Sequence, residues 1–431
     1  MKLLIIGAGP GGYETAVEAV KRGMEVTLIS EGPMGGTCLN EGCIPTKTFC
    51  HYAELIEQNL KAGLDCRPSF AAAAERKQAV VEQLRGGIDM LLKNVQVVRG
   101  KAQFKDSKTV MCEGVEYTAD KIIIATGSVS ASLPIPGAES CLTSKEILNL
   151  KEVPASICVI GGGVIGLEFA SIFRSFGCEV TVLEYCPSIL PRFDVDLAKR
   201  LKQSLSKRGI NIEVQAQVTA IDGGTVTYLK KDKECTVQAD KVLMAVGRRP
   251  NIDGLNLEAA GIDYTRKGIT VNDRFETSVP GIFAVGDVTG GIMLAHAATY
   301  QGLHALNYIG GQEDSIRFDL IPAAVFTLPE VATVGLTEEQ CKEQNIEVRC
   351  LKSFYRANGK AVSMDETDGY CKIIASTDGK ILGAHIMGAH ASDIIHEIAA
   401  VMNMGSNLDM LQSVIHAHPT LSEVLQSALH A

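Results

Sequence analysis

The chain has 431 residues, 46% of them hydrophobic, with 42 glycines and a formal net charge of -9 from 41 basic and 50 acidic side chains. That length exceeds one ordinary core and points to roughly three domains. The acidic balance, without a dense basic run, argues against nucleic acid or an anionic membrane surface as the main partner, and the 13 cysteines are unlike the disulfide framework of a small secreted domain.

The first element is a strand over Lys2 to Ile6, an apolar run too short for a signal sequence. No later stretch approaches about twenty uninterrupted apolar residues, so the expectation is a protein of the reducing cytoplasm with no membrane insertion. Gly7-Ala8-Gly9-Pro10-Gly11-Gly12 follows, then a helix, then a second strand at Val26 to Ile29. This βαβ context suits a dinucleotide: Gly7 for the tight turn, Gly9 for approach of a pyrophosphate, Gly12 for close packing of helix on strand. Ser30 stands where a ribose-binding acid is expected, and Glu31 comes one residue late. Either could reach a ribose, Ser30 the more weakly.

Next comes Gly35-Gly36-Thr37-Cys38-Leu39-Asn40-Glu41-Gly42-Cys43-Ile44-Pro45-Thr46-Lys47. Five positions on a regular helix turn one cysteine through about 500° relative to the other, so a bridge between Cys38 and Cys43 needs distorted backbone. Gly42 and Pro45 supply it, and such strain favours an exchangeable disulfide over a permanent staple. Lys47 lies four residues beyond Cys43, where its ammonium would favour a nearby thiolate and negative charge on a reduced flavin. A structural zinc held by Cys38, Cys43, Cys50 and His51 has suitable ligand types but poor spacing, so no metal is expected.

A strand at Lys121 to Ala125 ends at Thr126-Gly127, a further wall of the first nucleotide site. A shift of 154 positions then repeats the opening: Gly161, Gly163, Gly166 and Gly177 fall on Gly7, Gly9, Gly12 and Gly23, and Val180-Thr181 on Val26-Thr27. Two registered fingerprints imply two different dinucleotides. The second unit ends its second strand at Glu184, a carboxylate suited to a free ribose 2′-hydroxyl, with no adjacent arginine for a 2′-phosphate; that favours NAD over NADP. Glu168, inside the second motif's helix, could complement the helix end or pair with Lys47. A strand at Ile282 to Val285 aims Asp287 into the crevice, where it could bind a flavin's ribityl hydroxyls.

Near the carboxyl end stands His416-Ala417-His418-Pro419-Thr420-Leu421-Ser422-Glu423. Thr420 and Glu423 have the spacing of a helix capping box. Alternatively, Glu423 orients His418 and raises its basicity, so that the imidazole takes a proton from a substrate thiol.

Gly36 to Lys47 together with His418 to Glu423 resembles the class I pyridine nucleotide disulfide oxidoreductases over essentially the whole chain. Within that family the motifs Gly161 to Glu168, Glu184 and Met293-Leu294-Ala295-His296 look most like the dihydrolipoamide dehydrogenases. The resemblance implies one non-covalent FAD per subunit in the first unit, with Gly36, Thr37, Lys47, Ala295 and Gly247 added to the cofactor-binding residues, and NAD in the second. It implies a homodimer whose active sites are shared, each taking His418 and Glu423 from the other subunit. Cys38 is then the interchange sulfur and Cys43 the charge-transfer thiolate beside the flavin. The implied partner is the lipoyl-bearing domain of a 2-oxo acid dehydrogenase complex or glycine cleavage system. Glutathione reductase differs at Gly166 and Glu184, and mercuric reductase would need a cysteine pair near the carboxyl end. A flavin reductase or oxidase with a non-disulfide substrate leaves the cysteine pair and His418 without use.

The expected fold class is α/β: two Rossmann-like dinucleotide-binding domains plus a C-terminal α+β dimerisation domain. The segments are an FAD-binding part over 1–145, an NAD-binding domain over 146–270, a return to the FAD-binding part over 271–317 and the dimerisation domain over 318–431.

Overall fold

A computed structural model describes residues 1–430. The chain forms two compact units: Met1–Thr48, Ala74–Ala131 and Gly247–Ile316 make the first, and Phe49–Ala73, Ser132–Val246 and the segment from Arg317 onward make the second.

The first unit is built on a five-stranded parallel sheet in the order Ile282–Ala284, Lys121–Ile124, Lys2–Ile6, Glu25–Ser30, Gln96–Arg99. Leu4, Ile5, Ile123 and Phe283 are buried within it, as strands covered on both faces require. Each such side chain contributes about 1.5–3 kcal/mol when removed from water. The helix Pro10–Lys21 follows the glycine turn directly, with Pro10 in its first turn where the missing N–H has no partner to lose.

In the second unit, Ile210–Val214, Glu179–Glu184, Ser156–Ile160 and Lys241–Met244 form a four-stranded parallel sheet. Its strand order copies four of the five strands of the first sheet. The repeat holds at single bonds: Gly7 N–H donates to Ile29 O at 2.8 Å and Gly161 N–H to Leu183 O at 2.9 Å, while Ala125 to Ile6 O and Ala245 to Ile160 O correspond in the same way. The 154-residue offset read from the glycines therefore carries through the first two strands, while the third strand's donors, Ala125 and Ala245, are 120 residues apart.

The second unit also holds a three-stranded antiparallel sheet over Gln217–Asp222, Thr225–Lys230 and Lys233–Gln238, and a five-stranded antiparallel sheet ordered Ala323–Val325, Val331–Gly335, Ile381–Met387, Tyr370–Ser376, Val348–Phe354. The helix Ala391–Asn403 buries Ile394, Ile395 and Ile398 in the same core. The α/β fold with a C-terminal α+β part is thus as the sequence indicates.

One polar cluster lies wholly inside this unit. Lys372 Nζ is fully buried, 2.7 Å from Asp194 Oδ2 and 2.7 Å from Glu338 Oε2. Asp194 also caps the helix Val195–Lys207 through Leu197 N–H. Hydrogen bonds from Lys342 and Lys372 hold the Glu338 carboxyl down at about 2, from an ordinary 4.5. A depressed carboxyl contributes stability above its unfolded value, and that contribution is lost as pH falls through the folded value. Urea unfolding of the wild type should therefore weaken between pH 4.5 and 2, and Glu338→Gln should show a smaller loss across that window. An identical acid loss in the variant would remove Glu338 from the account.

Candidate functional site

The glycine turn leaves room for a ligand where it should. At Gly7, φ is +107° and an added Cβ would lie 2.3 Å from Ala125 O; at Gly12 it would lie 1.8 Å from Gly7 O. At Gly9 nothing stands within 4 Å, so the backbone there is open to an approaching group. Gly36 closes the other side, its Cβ position 2.6 Å from Gly9 Cα. A bulky diphosphate fits this arrangement, because the open position lies at the N-cap of a helix with no side chain capping it. Ala295 opens a second long helix whose N-cap, Leu294, also provides no side-chain cap.

At the strand end, Ser30 is buried and its Oγ donates to Gly32 O at 3.1 Å, while Glu31 is exposed. Thr126 Oγ donates to Asn251 O at 2.8 Å, and Gly127 takes φ +71° beside it. Gly247 has φ +122° with open space at its Cβ position. Asp287 lies in the short 3-10 turn Gly286–Thr289 and accepts a 2.5 Å hydrogen bond from Ser128 Oγ.

The cysteine segment is not one distorted helix. Thr37 and Cys38 lie in the six-residue helix Gly36–Glu41, Gly42 breaks it with φ -143° and ψ -111°, and Cys43 begins the long helix Cys43–Lys61. Gly42 is the break; Pro45 falls in the first turn of the new helix, where it costs no hydrogen bond. The break places the two sulfurs in hydrogen-bonding contact. That bond to Cys43, with burial added, pushes the Cys38 thiol far up, and the Lys47 ammonium opposes the rise. The two thiols therefore titrate as a pair. Cys50 is not part of this group: its thiol faces Phe326 O at 3.3 Å in the second unit. Among the described residues no three His, Cys, Asp or Glu side chains gather as a metal-ligand set.

Two further polar side chains of the first unit carried no signal in the sequence. Arg248 donates through Nε to Ser128 Oγ and through Nη2 to Ser128 O, both at 2.7 Å, and lies within electrostatic reach of Asp287, Cys43 and Glu41. Tyr13 donates its hydroxyl to Glu14 at 2.9 Å, and burial, then Glu14 and Cys38, push its phenol up. Arg248 follows Gly247 and opens the strand Arg248–Pro250, so a cation at a strand start beside a glycine is the signal that could have found it. Tyr13 reads locally as a core residue of its helix.

In the second unit Gly161 has φ +111°, an added Cβ at Gly166 would lie 2.0 Å from Gly161 O, and Gly163 is open like Gly9. Both Glu184 oxygens are held by backbone, Oε2 by Gly162 N–H and Oε1 by Cys186 N–H, each at 2.6 Å, with the side chain buried. Glu168 lies in the second turn of its helix, buried, accepting from Phe326 N–H at 3.0 Å.

His418 Nδ1 is 2.9 Å from Glu423 Oε1, and the imidazole is 78% exposed. Glu423 Oε2 accepts from Thr420 N–H at 2.7 Å; that bond and His418 hold the carboxyl below its usual range. Half of a capping box is therefore present, but Thr420 Oγ turns back to Ala417 O and the helix starts only at Glu423. One carboxylate serves the loop and the imidazole together.

Residues 1–302 match the family model for pyridine nucleotide-disulphide oxidoreductase, and residues 321–429 match that family's dimerisation domain. A dihydrolipoyl dehydrogenase of Bacillus subtilis is 39% identical, covering 100% of this chain and 98% of the relative. One from Geobacillus stearothermophilus is 41% identical over 99% of this chain and 94% of its own. Among solved structures, the HOCl-induced flavoprotein disulfide reductase RclA of Escherichia coli superimposes with a TM-score of 0.90 at 32% identity, covering 100% of this chain and 99% of that one. LpdA of Mycobacterium tuberculosis superimposes with a TM-score of 0.91 at 28% identity over 100% and 99%. With both nucleotide folds, the thiol pair and the C-terminal sheet included in these full-length matches, the chain is a flavoprotein disulfide oxidoreductase and belongs to the pyridine nucleotide-disulphide oxidoreductase family.

Proposed function

We propose that this chain oxidises protein-bound dihydrolipoamide to lipoamide and delivers the electrons to NAD, as a dihydrolipoyl dehydrogenase with one non-covalent FAD per subunit. The observation that carries this reading is the hydrogen-bonded Cys38–Cys43 pair at a helix break within electrostatic reach of Lys47. In the oxidised state the two sulfurs are joined. A substrate thiolate attacks Cys38 Sγ, the Cys43 thiolate leaves, and the second substrate thiol displaces Cys38 to release the cyclic disulfide. Two protons and two electrons pass to the protein in that exchange. His418 of the partner subunit, oriented by its Glu423, takes the proton from the attacking thiol. When bound, FAD supplies the two-electron route from the dithiol to the nicotinamide.

The open backbone at Gly9 and the uncapped helix after it suit the FAD pyrophosphate, with Gly7, Gly12, Gly36 and Thr37 shaping its cradle, Lys47 at its reactive end and Asp287, Thr126, Gly127 and Ala295 along its length. Ser30 is the ribose neighbour in this reading, since Glu31 points to solvent. Gly161, Gly163 and Gly166 play the corresponding part for NAD, with Glu184 on the ribose, and Gly247 is a further cofactor-binding residue. The segments are those of the sequence reading: FAD over 1–145 and 271–317, NAD over 146–270, dimer interface over 318–431. Association as a homodimer, service to a 2-oxo acid dehydrogenase complex or glycine cleavage system, and a cytoplasmic location accompany this proposal. Its support is the full-length likeness to enzymes named dihydrolipoyl dehydrogenase and the match to the dimerisation domain. Among the described residues no helix is long and apolar enough to cross a membrane.

The deciding experiment is anaerobic titration of the purified holoenzyme with dihydrolipoamide, followed by NAD. A long-wavelength absorption band and then NADH formation are expected; glutathione disulfide and coenzyme A disulfide with NADH are run alongside. Faster turnover of either disulfide than of lipoamide would move the protein to another branch of the family.

Nucleotide preference gives a separate check. A hydrogen bond to a charged group contributes about 1.5–3 kcal/mol, so Glu184→Gln should raise KM for NAD roughly tenfold with kcat little changed. A wild-type preference for NADPH would overturn the role given to Glu184.

A further inference from the structure

His418 stands in an exposed stretch of chain between the helices Leu408–Gln412 and Glu423–Leu429. From Gln412 to Pro419 every residue is exposed except His416, whose side chain leaves only 4% of its surface to solvent. His416 Nε2 lies 2.9 Å from Glu397 Oε1, and an ionised carboxylate only accepts, so the ring is held with a proton on Nε2. Nδ1 is buried and finds no partner among the described residues, so the polar attachment of this ring rests on Glu397. Glu397 offers a firm base: its helix, Ala391–Asn403, packs Ile394, Ile395 and Ile398 into the core. A second tie lies two residues beyond His418. Asn358 Nδ2 donates to Thr420 O at 3.0 Å, and Asn358 is itself buried and capping Gly359–Ser363 through Ala361 N–H. The span from His416 to Thr420 is therefore tied at both ends, with the His418 imidazole projecting from its middle.

Resting on the reading of His418 as the base for the substrate thiol, we propose that His416 is a positioning residue for that base. Its hydrogen bond to Glu397 fixes the backbone that presents the His418 imidazole, while Glu423 fixes the ring itself. His416 acts within the subunit that supplies His418 and handles no proton of the substrate. With its tie gone the span is held at Thr420 alone, and the intervening backbone regains conformational freedom. The imidazole then spends less of its time where the proton is transferred.

The test is the rate of the thiol half-reaction of holoenzyme with dihydrolipoamide, measured by anaerobic stopped flow, beside NADH-to-dye transfer. Misplacing a reacting group by about 1 Å costs on the order of 10²-fold, and a span still tied at Thr420 loses part of that. His416→Leu should therefore slow the thiol half-reaction roughly tenfold, with NADH-to-dye transfer near wild type. His416→Gln, whose amide can donate to Glu397 in place of Nε2, should recover most of the rate. Glu397→Ala, at a partly exposed position on its helix, should reproduce the loss. In a His418→Gln background His416→Leu should cost nothing more, because the group it positions is gone. A wild-type rate in His416→Leu overturns the proposal, as does a loss that His416→Gln fails to repair. A further tenfold loss in the His418→Gln background also overturns it, since His416 would then act on stability at large. If His416→Leu does not fold, a wild-type rate in Glu397→Ala decides against the proposal. A wild-type thiol half-reaction in His418→Gln alone is a different result, and it would remove the base reading itself.

Discussion

Cys38→Ser and Cys43→Ser are each expected to lower NAD-linked dihydrolipoamide oxidation by at least about 10³-fold, because serine cannot form the sulfur–sulfur bond through which the electrons leave the substrate. Flavin content and NADH-to-dye transfer should survive in both, since neither side chain belongs to the glycine cradle. The two variants separate the roles of the sulfurs. In the proposed mechanism Cys38 meets the substrate and Cys43 carries the charge beside the flavin. Cys38→Ser should therefore retain a long-wavelength band and Cys43→Ser should lose it. The reverse pattern would exchange the roles, and full dihydrolipoamide turnover in either variant would end the disulfide mechanism.

The second large effect is expected at His418. General base catalysis contributes about 10²–10⁴-fold, so His418→Gln should slow the thiol half-reaction by that order while leaving NADH-to-dye transfer near wild type. Glu423→Gln should be milder, because the amide can still hold Thr420 N–H while losing the charge that orients the imidazole. Mixing inactive Cys38→Ser with inactive His418→Gln tests sharing between subunits: exchange of protomers should restore up to about a quarter of wild-type sites. No recovery after verified exchange would mean that each site uses its own histidine. Equal loss in both half-reactions of His418→Gln would assign the residue to structure.

Much of this was legible because it is steric. A glycine whose Cβ would collide with a carbonyl oxygen, as at Gly7, Gly12, Gly161 and Gly166, is dictated by backbone geometry and repeats wherever that geometry does. The sulfur pair was legible too, since its spacing required a break, although the break falls at Gly42 and Pro45 sits comfortably in the following turn. The His418 and Glu423 pairing is short-range: the carboxylate accepts from Thr420 N–H with one oxygen and lies against the imidazole with the other. Arg248 was not legible. Its partner Ser128 lies 120 positions away and is brought to it by a three-residue antiparallel ladder, a long-range pairing that no local period encodes. The turn of Ser30 Oγ towards Gly32, and the exposure of Glu31, likewise depend on how the strand ends rather than on residue type.

The repeated turn also bears on evolvability. In both copies the same glycines are frozen by collisions of 1.8–2.4 Å, so every viable descendant of either unit must keep them. Gly9 and Gly163 escape that internal collision, and the strand-end positions Ser30 and Glu184 are chemically unlike each other on a shared frame. Diversity is thus channelled to the positions assigned to the nucleotides in the proposed function. A library that varies Ser30, Glu184 and their flanking residues, with the four frozen glycines left alone, would sample new nucleotide preferences on an unchanged turn.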